Sequence, residues 1–225
     1  RILNEGVHTI LEKPIKPARL QANVRNTVDM VKGYTDGKTG LYNADVFRTR
    51  LEEELRLFGG HIEGEPRRKH SPSNLSILVM DFDYFKTIND SYGGHIEGGD
   101  RVLREVGRLI KESIRPGDIP GRYGGDELAL VLREADYQSA LKKAEEIRSK
   151  VENLNMRTIG GLVIPTSISI GVVTIPQDGV ELNNESVMRA ADLSLYYAKQ
   201  SGKNRVFGYL DLPRPVEPTP PSPSG

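Results

Sequence analysis

The chain has 225 residues, enough to bury a full hydrophobic core, and its 31 basic residues balance its 31 acidic residues. The formal net charge of 0 argues against a general affinity for nucleic acid, and the absence of cysteine excludes disulfides and thiolate chemistry. No apolar run approaches the length that a membrane-spanning helix needs, so we expect no membrane partner and a cytoplasmic location.

Residues 1–34 are predicted to be a strand and a helix that precede the main domain. Pro17 suits the first turn of a helix ending near residue 32, because apolar residues then recur at helical spacing, at Leu20, Val24, Val28 and Val31. The segment resembles the last strand and helix of a response-regulator receiver domain, with Lys13 as the lysine of the phosphorylation site. We therefore expect a receiver domain and its sensor kinase in the full protein; an ordinary amphipathic linker helix is the alternative.

Residues 35–210 alternate helix and strand patterns and are predicted to be one α/β domain, with flanking helices on a mixed central sheet. The predicted helices cover 39–58, 100–113, 136–154 and 184–200. The predicted strands cover 74–80, 119–123, 127–132 and 166–174, the second and third forming a hairpin. Residues 211–225 are rich in Pro and Ser without an apolar pattern, and we expect a disordered tail there.

Two acidic pairs stand at the ends of predicted strands. One lies in Asp81-Phe82-Asp83, directly after an apolar run, and the other in Gly124-Gly125-Asp126-Glu127 at the hairpin tip. Adjacent glycines between strands indicate a tight turn, since glycine reaches positive φ without steric cost. Hard cations such as Mg²⁺ take carboxylate oxygens, so the two pairs together suggest a divalent metal site. For either pair alone, solvated turn residues are the simpler interpretation.

Three lysines accompany these carboxylates. Lys86 follows the first acidic pair, and Lys199 and Lys203 lie at the end of the last predicted helix. A lysine near a helix end can simply complement the helix dipole. Carboxylates and lysines occurring together favour a nucleoside triphosphate that binds along with a metal ion.

Four motifs, in this order, resemble the GGDEF family of diguanylate cyclases. They are Thr39-Gly40-Leu41-Tyr42-Asn43, the run from Asp81 to Asp90, the run from Arg122 to Glu127, and the ending from Ala190 to Asn204. The resemblance implies a palm-like α/β fold, related to nucleotidyl cyclases and polymerases. It also implies the condensation of two GTP molecules into cyclic di-GMP.

The same resemblance implies a metal site for Mg²⁺ or Mn²⁺. Asp81, the backbone carbonyl of Phe82, Asp126 and Glu127 would bind the ions. Glu127 would be either a ligand of a second metal or the carboxylate that activates the attacking hydroxyl, and the sequence leaves both roles open. Asp126, Glu127 and Lys86 are the expected catalytic residues.

Substrate contacts are implied in the same way. The phosphates would be bound by Lys86, Lys199, Lys203 and backbone N–H groups around Phe85, and guanine would be read by Asn89 and Asp100. An amide and a carboxylate suit guanine, because adenine lacks the N1–H donor that Asp100 would accept. For Asp83 and Asp90 we favour ordinary turn and capping roles.

The chain departs from the family pattern at four places, three of which concern the substrate site and the signature motif. Lys203 stands where many relatives carry Arg, so a bidentate phosphate contact is lost. Leu128 replaces Phe and keeps an apolar residue there. The segment from Tyr92 to Asp100 is two residues longer and contains the second copy of a Gly-Gly-His-Ile-Glu-Gly repeat, which leaves the position of Asp100 open.

Arg115-Pro116-Gly117-Asp118 resembles the family's product-inhibition site. An Arg fork suits phosphate and the guanine Hoogsteen edge, while Asp accepts from the base. Arg148 is expected to assist, because Glu146 occupies a position where some relatives supply a further Arg. A simple Pro-Gly turn with solvated charges is the alternative.

Each active site would hold one GTP, so we expect a homodimer that brings two half-sites together. Two other functions stay open. One is a non-catalytic cyclic di-GMP receptor that uses Arg115 and Asp118, and the other is a cyclase that makes mixed cyclic dinucleotides. A phosphodiesterase is a poorer fit, because the chain lacks the Glu-x-Leu type of metal-binding signature.

Overall fold

The computed structural model describes residues 33–59, 73–94, 98–177 and 179–213. Its main helices are α1 (Ala44–Gly59), α2 (Phe85–Ser91), α3 (Asp100–Ser113), α4 (Tyr137–Glu152) and α5 (Asn184–Gln200). Its strands are β1 (Leu75–Phe82), β2 (Ile119–Arg122), β3 (Glu127–Arg133), β4 (Ile168–Ile175) and β5 (Val206–Gly208).

The strands form one mixed sheet in the order β2-β3-β1-β4-β5. β1 lies in the middle and pairs antiparallel with both β3 and β4, whereas β4 and β5 are parallel. Every residue of β1 except Asp81 is buried, as expected for a continuous apolar run in a sheet covered on both faces. The predicted mixed sheet with flanking helices is confirmed.

Two hydrophobic cores lie on opposite faces of this sheet. Side chains alternate along β1, so Leu78 and Met80 join one core while Ile77 and Val79 join the other. Helices α3 and α4 cover the first face, and α1 and α5 cover the second. β1 is therefore packed on both of its faces.

Several helix bounds agree with the sequence pattern, and one does not. α3 and α5 begin and end where predicted, and Asp136 caps α4 by accepting the N–H of Ser139 at 2.7 Å. The predicted helix start at Thr39 is wrong, because Asp36 Oδ1 accepts the Thr39 N–H at 2.8 Å and closes a turn there. α1 starts only at Ala44, and neither α2 nor β5 was predicted.

Most of the predicted receiver-like segment and most of the predicted tail lie outside the described residues. The boundary at 211 needs correction, because Asp211 accepts a hydrogen bond from the Tyr137 hydroxyl at 2.7 Å and so belongs to the ordered domain. Within the ranges described above, no helix combines the length and the apolar character needed to cross a membrane.

Candidate active site

The two acidic pairs meet at one end of the sheet, because β1 and β3 are neighbours. In the β1–β3 register Asp81 lies opposite Glu127. The β2–β3 turn is closed by the N–H groups of Tyr123 and Gly124, which donate to the Glu127 carbonyl at 2.9 and 3.2 Å. The predicted hairpin is confirmed, and its tip brings Asp126 beside Asp81 and Glu127.

Gly124 and Gly125 were predicted to supply positive φ to the hairpin turn, but their role in the structure is different. Neither adopts the positive φ that we expected of a tight turn. The side chain of Glu127 folds back over Gly124, so that a Cβ at position 124 would overlap Oε2 of Glu127. A Cβ at position 125 would meet no atom within 4 Å, which leaves open space beside the hairpin tip.

Arg122 anchors the hairpin tip, a role that the sequence analysis missed. Its Nε donates to the Gly125 carbonyl at 3.2 Å, and its Nη1 donates to Asp36 Oδ2 at 2.9 Å. The two charged side chains are only 15% and 20% exposed. Partial burial alone would raise the pKa of Asp36, but hydrogen bonds from Thr39 and Arg122 outweigh it and lower that pKa. The pair is therefore ionised.

Asp81 is paired with Lys199 of α5. The Lys199 ammonium lies 2.8 Å from Asp81 Oδ1, and the Asp81 side chain is 12% exposed. Burial raises the pKa of the Asp81 carboxyl, Lys199 opposes that rise, and the charges of Asp126 and Glu127 add to it. One lysine thus neutralises only part of the negative charge at the end of β1.

The donor chemistry of this cluster suits a hard divalent cation. No three His, Cys, Asp or Glu side chains in the described ranges stand close enough to form a ready-made cation site. Mg²⁺ usually takes one or two protein carboxylates and completes its shell with water and substrate phosphates. The residues therefore fit an ion that binds together with a nucleotide. Phe82, the predicted backbone ligand, is buried with its ring 5.3 Å from that of Phe85.

Asn89 of α2 lies next to the start of α3, where Asp100 is the first residue. Gly99 lies so close to Asn89 that a Cβ at position 99 would overlap Asn89 Oδ1. That oxygen is buried and has no hydrogen-bond partner among the described residues, while Asp100 pairs with Lys38 at 2.6 Å. An unpaired amide beside a carboxylate can recognise the edge of a heterocycle. With the longer loop, whose residues 95–97 lie outside the described ranges, Asn89 still lies beside Gly99, the residue before Asp100.

The three predicted phosphate lysines belong to segments that meet at the end of β1. Tyr84, with φ of 58°, turns the chain from β1 into α2, where Phe85 and the exposed Lys86 are the first residues. Lys203 follows α5, and its ammonium lies 4.0 Å from the centroid of the Tyr84 ring. Lys199 thus approaches the end of β1 from α5, and Lys203 from the segment that follows α5.

Arg115 and Asp118 share one turn after α3. Asp118 Oδ2 accepts the Arg115 N–H at 3.0 Å, and its Oδ1 accepts the Arg133 N–H at 3.2 Å. Gly117, at φ of 103°, permits the turn. Asp118 therefore shapes the turn through both oxygens, and the Arg115 side chain is exposed.

Arg148 does not have the surroundings expected of a residue that assists Arg115 in product binding. It donates to Glu145 and Glu152 on its own helix and to Asn204 Oδ1 at 2.7 Å, and its side chain is only 13% exposed. The α4 residues that reach the end of α3 are Lys143 and Lys150, which donate to Ser113 at 2.8 and 3.1 Å. The structure thus groups Arg148 with the segment after α5 rather than with the Arg115 turn.

The family described as diguanylate cyclase, GGDEF domain, has a model that matches residues 33–205. This chain belongs to the GGDEF family. The response regulator PleD of Caulobacter vibrioides is 33% identical over 224 residues, which cover 92% of this chain and 46% of PleD. Diguanylate cyclase A of Treponema denticola is 36% identical over 197 residues, which cover 88% of this chain and 49% of the relative. The chain thus spans about half the length of these curated relatives.

A solved GGDEF structure matches the fold. The GGDEF domain of DgcB from Caulobacter crescentus, in complex with c-di-GMP, superimposes with a TM-score of 0.67 at 28% identity and covers 79% of this chain and 93% of that domain. The expected palm-like GGDEF fold is confirmed. In this GGDEF chain, Leu128 at the fifth signature position is fully buried at the start of β3, so it contributes packing and no polar group.

Proposed function

We propose that this chain is a diguanylate cyclase that converts two GTP into cyclic di-GMP and two pyrophosphates. In each of two steps a ribose 3′-oxygen attacks an α-phosphorus, a new P–O bond forms, and the bond from that phosphorus to the β-phosphate oxygen breaks. The observation that carries the proposal is the β1–β3 register, which sets Asp81 opposite Glu127 with Asp126 at the adjoining hairpin tip. The family membership and the lysines around β1 support the same reaction.

The carboxylates have two proposed tasks. Asp81, the Phe82 carbonyl, Asp126 and Glu127 would hold Mg²⁺ or Mn²⁺, which would supply positive charge to the reacting phosphates. Glu127 is also the proposed acceptor of the 3′-hydroxyl proton, since its carboxylate folds back over Gly124 at the hairpin tip.

The phosphates and the base have separate proposed binding groups. Lys86, Lys199 and Lys203, with N–H groups around Phe85, would bind the triphosphate and stabilise the charge on the departing pyrophosphate. The unpaired Asn89 oxygen favours a ligand that supplies a donor, and guanine has such donors at N1 and N2. Asp100 would accept the second donor after release from Lys38.

A homodimer is part of the proposal. One site binds one GTP, and the attacking hydroxyl must come from a second GTP held by the partner subunit. A two-fold axis relates two such half-sites in the simplest way. The open space beside Gly125 supports approach of that second nucleotide at the hairpin tip.

Product binding at the Arg115–Asp118 turn is also proposed. The exposed Arg115 side chain suits phosphate and the guanine Hoogsteen edge. Asp118 would have to exchange backbone partners to accept from the base, and Arg148 would have to leave Glu145 and Glu152. We therefore propose Arg115 as the main product contact, with Asp118 and Arg148 in lesser roles.

Residues 35–211 would form the catalytic domain, and residues 1–34 the end of a receiver domain. The alignment with a response regulator over 92% of this chain supports this, because it extends beyond the family match at 33–205. Phosphorylation of the full protein by a sensor kinase would then promote dimerisation.

The test is a Mg²⁺-dependent turnover assay with GTP, ATP and their mixture, with products identified by mass. Cyclic di-GMP should form from GTP, and Asp126→Ala should abolish it, whereas Asp45→Ala should retain activity because that side chain is 96% exposed on α1. Mixed dinucleotides would instead indicate altered base choice. Absence of product, with cyclic di-GMP binding that Arg115→Ala removes, would identify a receptor and refute the cyclase proposal.

A further inference from the structure

Asp83 is a buried carboxylate that the proposed reaction does not use. Its side chain is 3% exposed, although it lies only two residues beyond Asp81. Its Oδ1 accepts the Ser169 hydroxyl at 2.7 Å, and its Oδ2 accepts the Ser167 hydroxyl at 2.8 Å and the Asn204 N–H at 2.9 Å. Both oxygens are thus engaged within the protein.

The Asn204 N–H belongs to the short connection between α5 and β5. Lys203 and Asn204 are both left-handed, at φ of 62° and 46°, a conformation that non-glycine residues adopt only when their surroundings enforce it. Asp83 supplies one enforcing contact from the end of β1. It links segments that are 121 residues apart in the chain.

The Asn204 side chain supplies a second anchor, on α4. Its Oδ1 accepts from Arg148 Nη1 at 2.7 Å, and its Nδ2 donates to Glu152 Oε1 at 2.6 Å. Asn204 is thus held from β1 through its backbone and from α4 through its side chain. This arrangement accounts for Arg148, whose partners lie here rather than at the Arg115 turn.

Lys203 precedes this doubly anchored residue. With the left-handed turn in place, its ammonium lies over the Tyr84 ring at 4.0 Å, close to the start of α2. Without the turn, the stem of Lys203 would leave the end of β1, because its direction depends on the φ of residues 203 and 204.

We propose that Asp83 is a positioning residue: through Asn204 it holds the left-handed turn that directs Lys203 toward the substrate triphosphate. This inference rests on the proposed function, because it concerns how the same site binds GTP. It predicts that Asp83 and Asn204 affect recognition of the phosphates and leave recognition of guanosine unchanged.

The experiment measures binding of guanosine 5′-(α,β-methylene)triphosphate and of guanosine to the whole chain. Asp83→Asn should weaken binding of the triphosphate analogue roughly tenfold, the effect of losing one hydrogen bond to a charged group. The affinity for guanosine should stay unchanged. Lys203→Ala should have a similar effect. The double variant should bind the analogue no more weakly than the single variant with the lower affinity. Asp90→Asn, an exposed acid on α2, is the matched control.

Equal weakening for both ligands would indicate a merely structural role and overturn the inference, as would additive losses in the double variant. If Asp83→Asn does not fold by circular dichroism, Asn204→Ala tests the turn in its place: it keeps the backbone bond to Asp83 but removes the α4 anchor and the side chain at a left-handed position, and the same selective loss is expected. Wild-type affinity in these variants overturns only the inference about Asp83. Failure of the wild-type chain to bind the analogue overturns both this inference and the proposed function.

Discussion

The Lys199 ammonium lies 2.8 Å from Asp81 Oδ1, and this contact opposes the rise that burial and the neighbouring carboxylates impose on the pKa of Asp81. A metal ion and a proton compete for a carboxylate, so activity should fall as pH drops through that pKa.

Lys199→Met should therefore shift the acid limb of the pH–rate profile upward. Removing the lysine raises the pKa of Asp81 further, so the ionised form needed for metal binding appears only at higher pH. The measurement is the midpoint of the acid limb in kcat/KM for GTP. Lys86→Met is the control, because it removes a proposed phosphate contact without removing the partner of Asp81. Equal midpoints in the two variants would contradict the prediction.

Gly124→Ala and Gly125→Ala should differ although they are adjacent. The first Cβ would overlap Glu127 Oε2 and displace that carboxylate, whereas the second meets open space in the free protein. Gly124→Ala should lower kcat by about a hundredfold with little change in Tm, as expected for a displaced reacting group. Gly125→Ala should keep the Glu127 geometry. Any loss of activity in this variant should therefore come from weaker dimer assembly around the second nucleotide. Equal kcat in Gly124→Ala and the wild type would rule out the proposed role of Glu127.

Gly99→Ala should weaken base selection. Its Cβ would overlap Asn89 Oδ1 and lie 3.0 Å from Phe85 Cζ, so the Asn89 amide must move from its present position. We expect the ratio of kcat/KM for GTP to that for ATP to fall roughly tenfold, because one base contact is lost. Gly160→Ala should leave the ratio unchanged, since its Cβ would make an ordinary contact 3.7 Å from Thr158 Oγ1. An unchanged ratio in Gly99→Ala would show that Asn89 does not take part in base recognition.

Arg133→Ala should destabilise the fold more than other surface arginine changes. Arg133 donates through Nε and Nη2 to Glu54, a carboxylate that is only 4% exposed. Its loss leaves a buried charge unpaired and should lower the free energy of unfolding in urea by about 3 kcal/mol. Arg108→Ala, which breaks pairs with the partly exposed Glu105 and the exposed Glu112, should cost much less, because water screens exposed ion pairs. Equal costs would contradict this account.

Much of the scaffold could be predicted because it is encoded locally. Helix periodicity and terminal signals set both ends of α3 and α5, and the apolar run at 75–80 identified the buried middle strand. β5 escaped prediction because it has three residues, two of them only partly buried. α2 escaped because it follows a left-handed tyrosine and buries only Ile88.

The sequence predicted the charged side chains of the candidate site but not the residues that hold them in place. Motif order identified Asp81, Glu127 and Lys199, and the structure brings them together. The pairs Arg122–Asp36 and Asn204–Asp83 join residues 86 and 121 positions apart, and no periodic pattern along the chain expresses such distances. Arg148 was assigned by its distance along the chain from Glu146, although its neighbours in space depend on which face of α4 it occupies.

Arg122 has a mechanical consequence. Its guanidinium joins the Gly125 carbonyl to Asp36, which lies where the chain enters the domain, and the ion pair is largely shielded from water. A displacement of the entering segment must therefore either break this pair or carry the hairpin tip with it. Two contacts, Asp36–Arg122 and Arg122–Gly125, join the start of the domain to the acidic hairpin tip. A displacement of the chain ahead of Asp36 can therefore move the tip without repacking the hydrophobic cores.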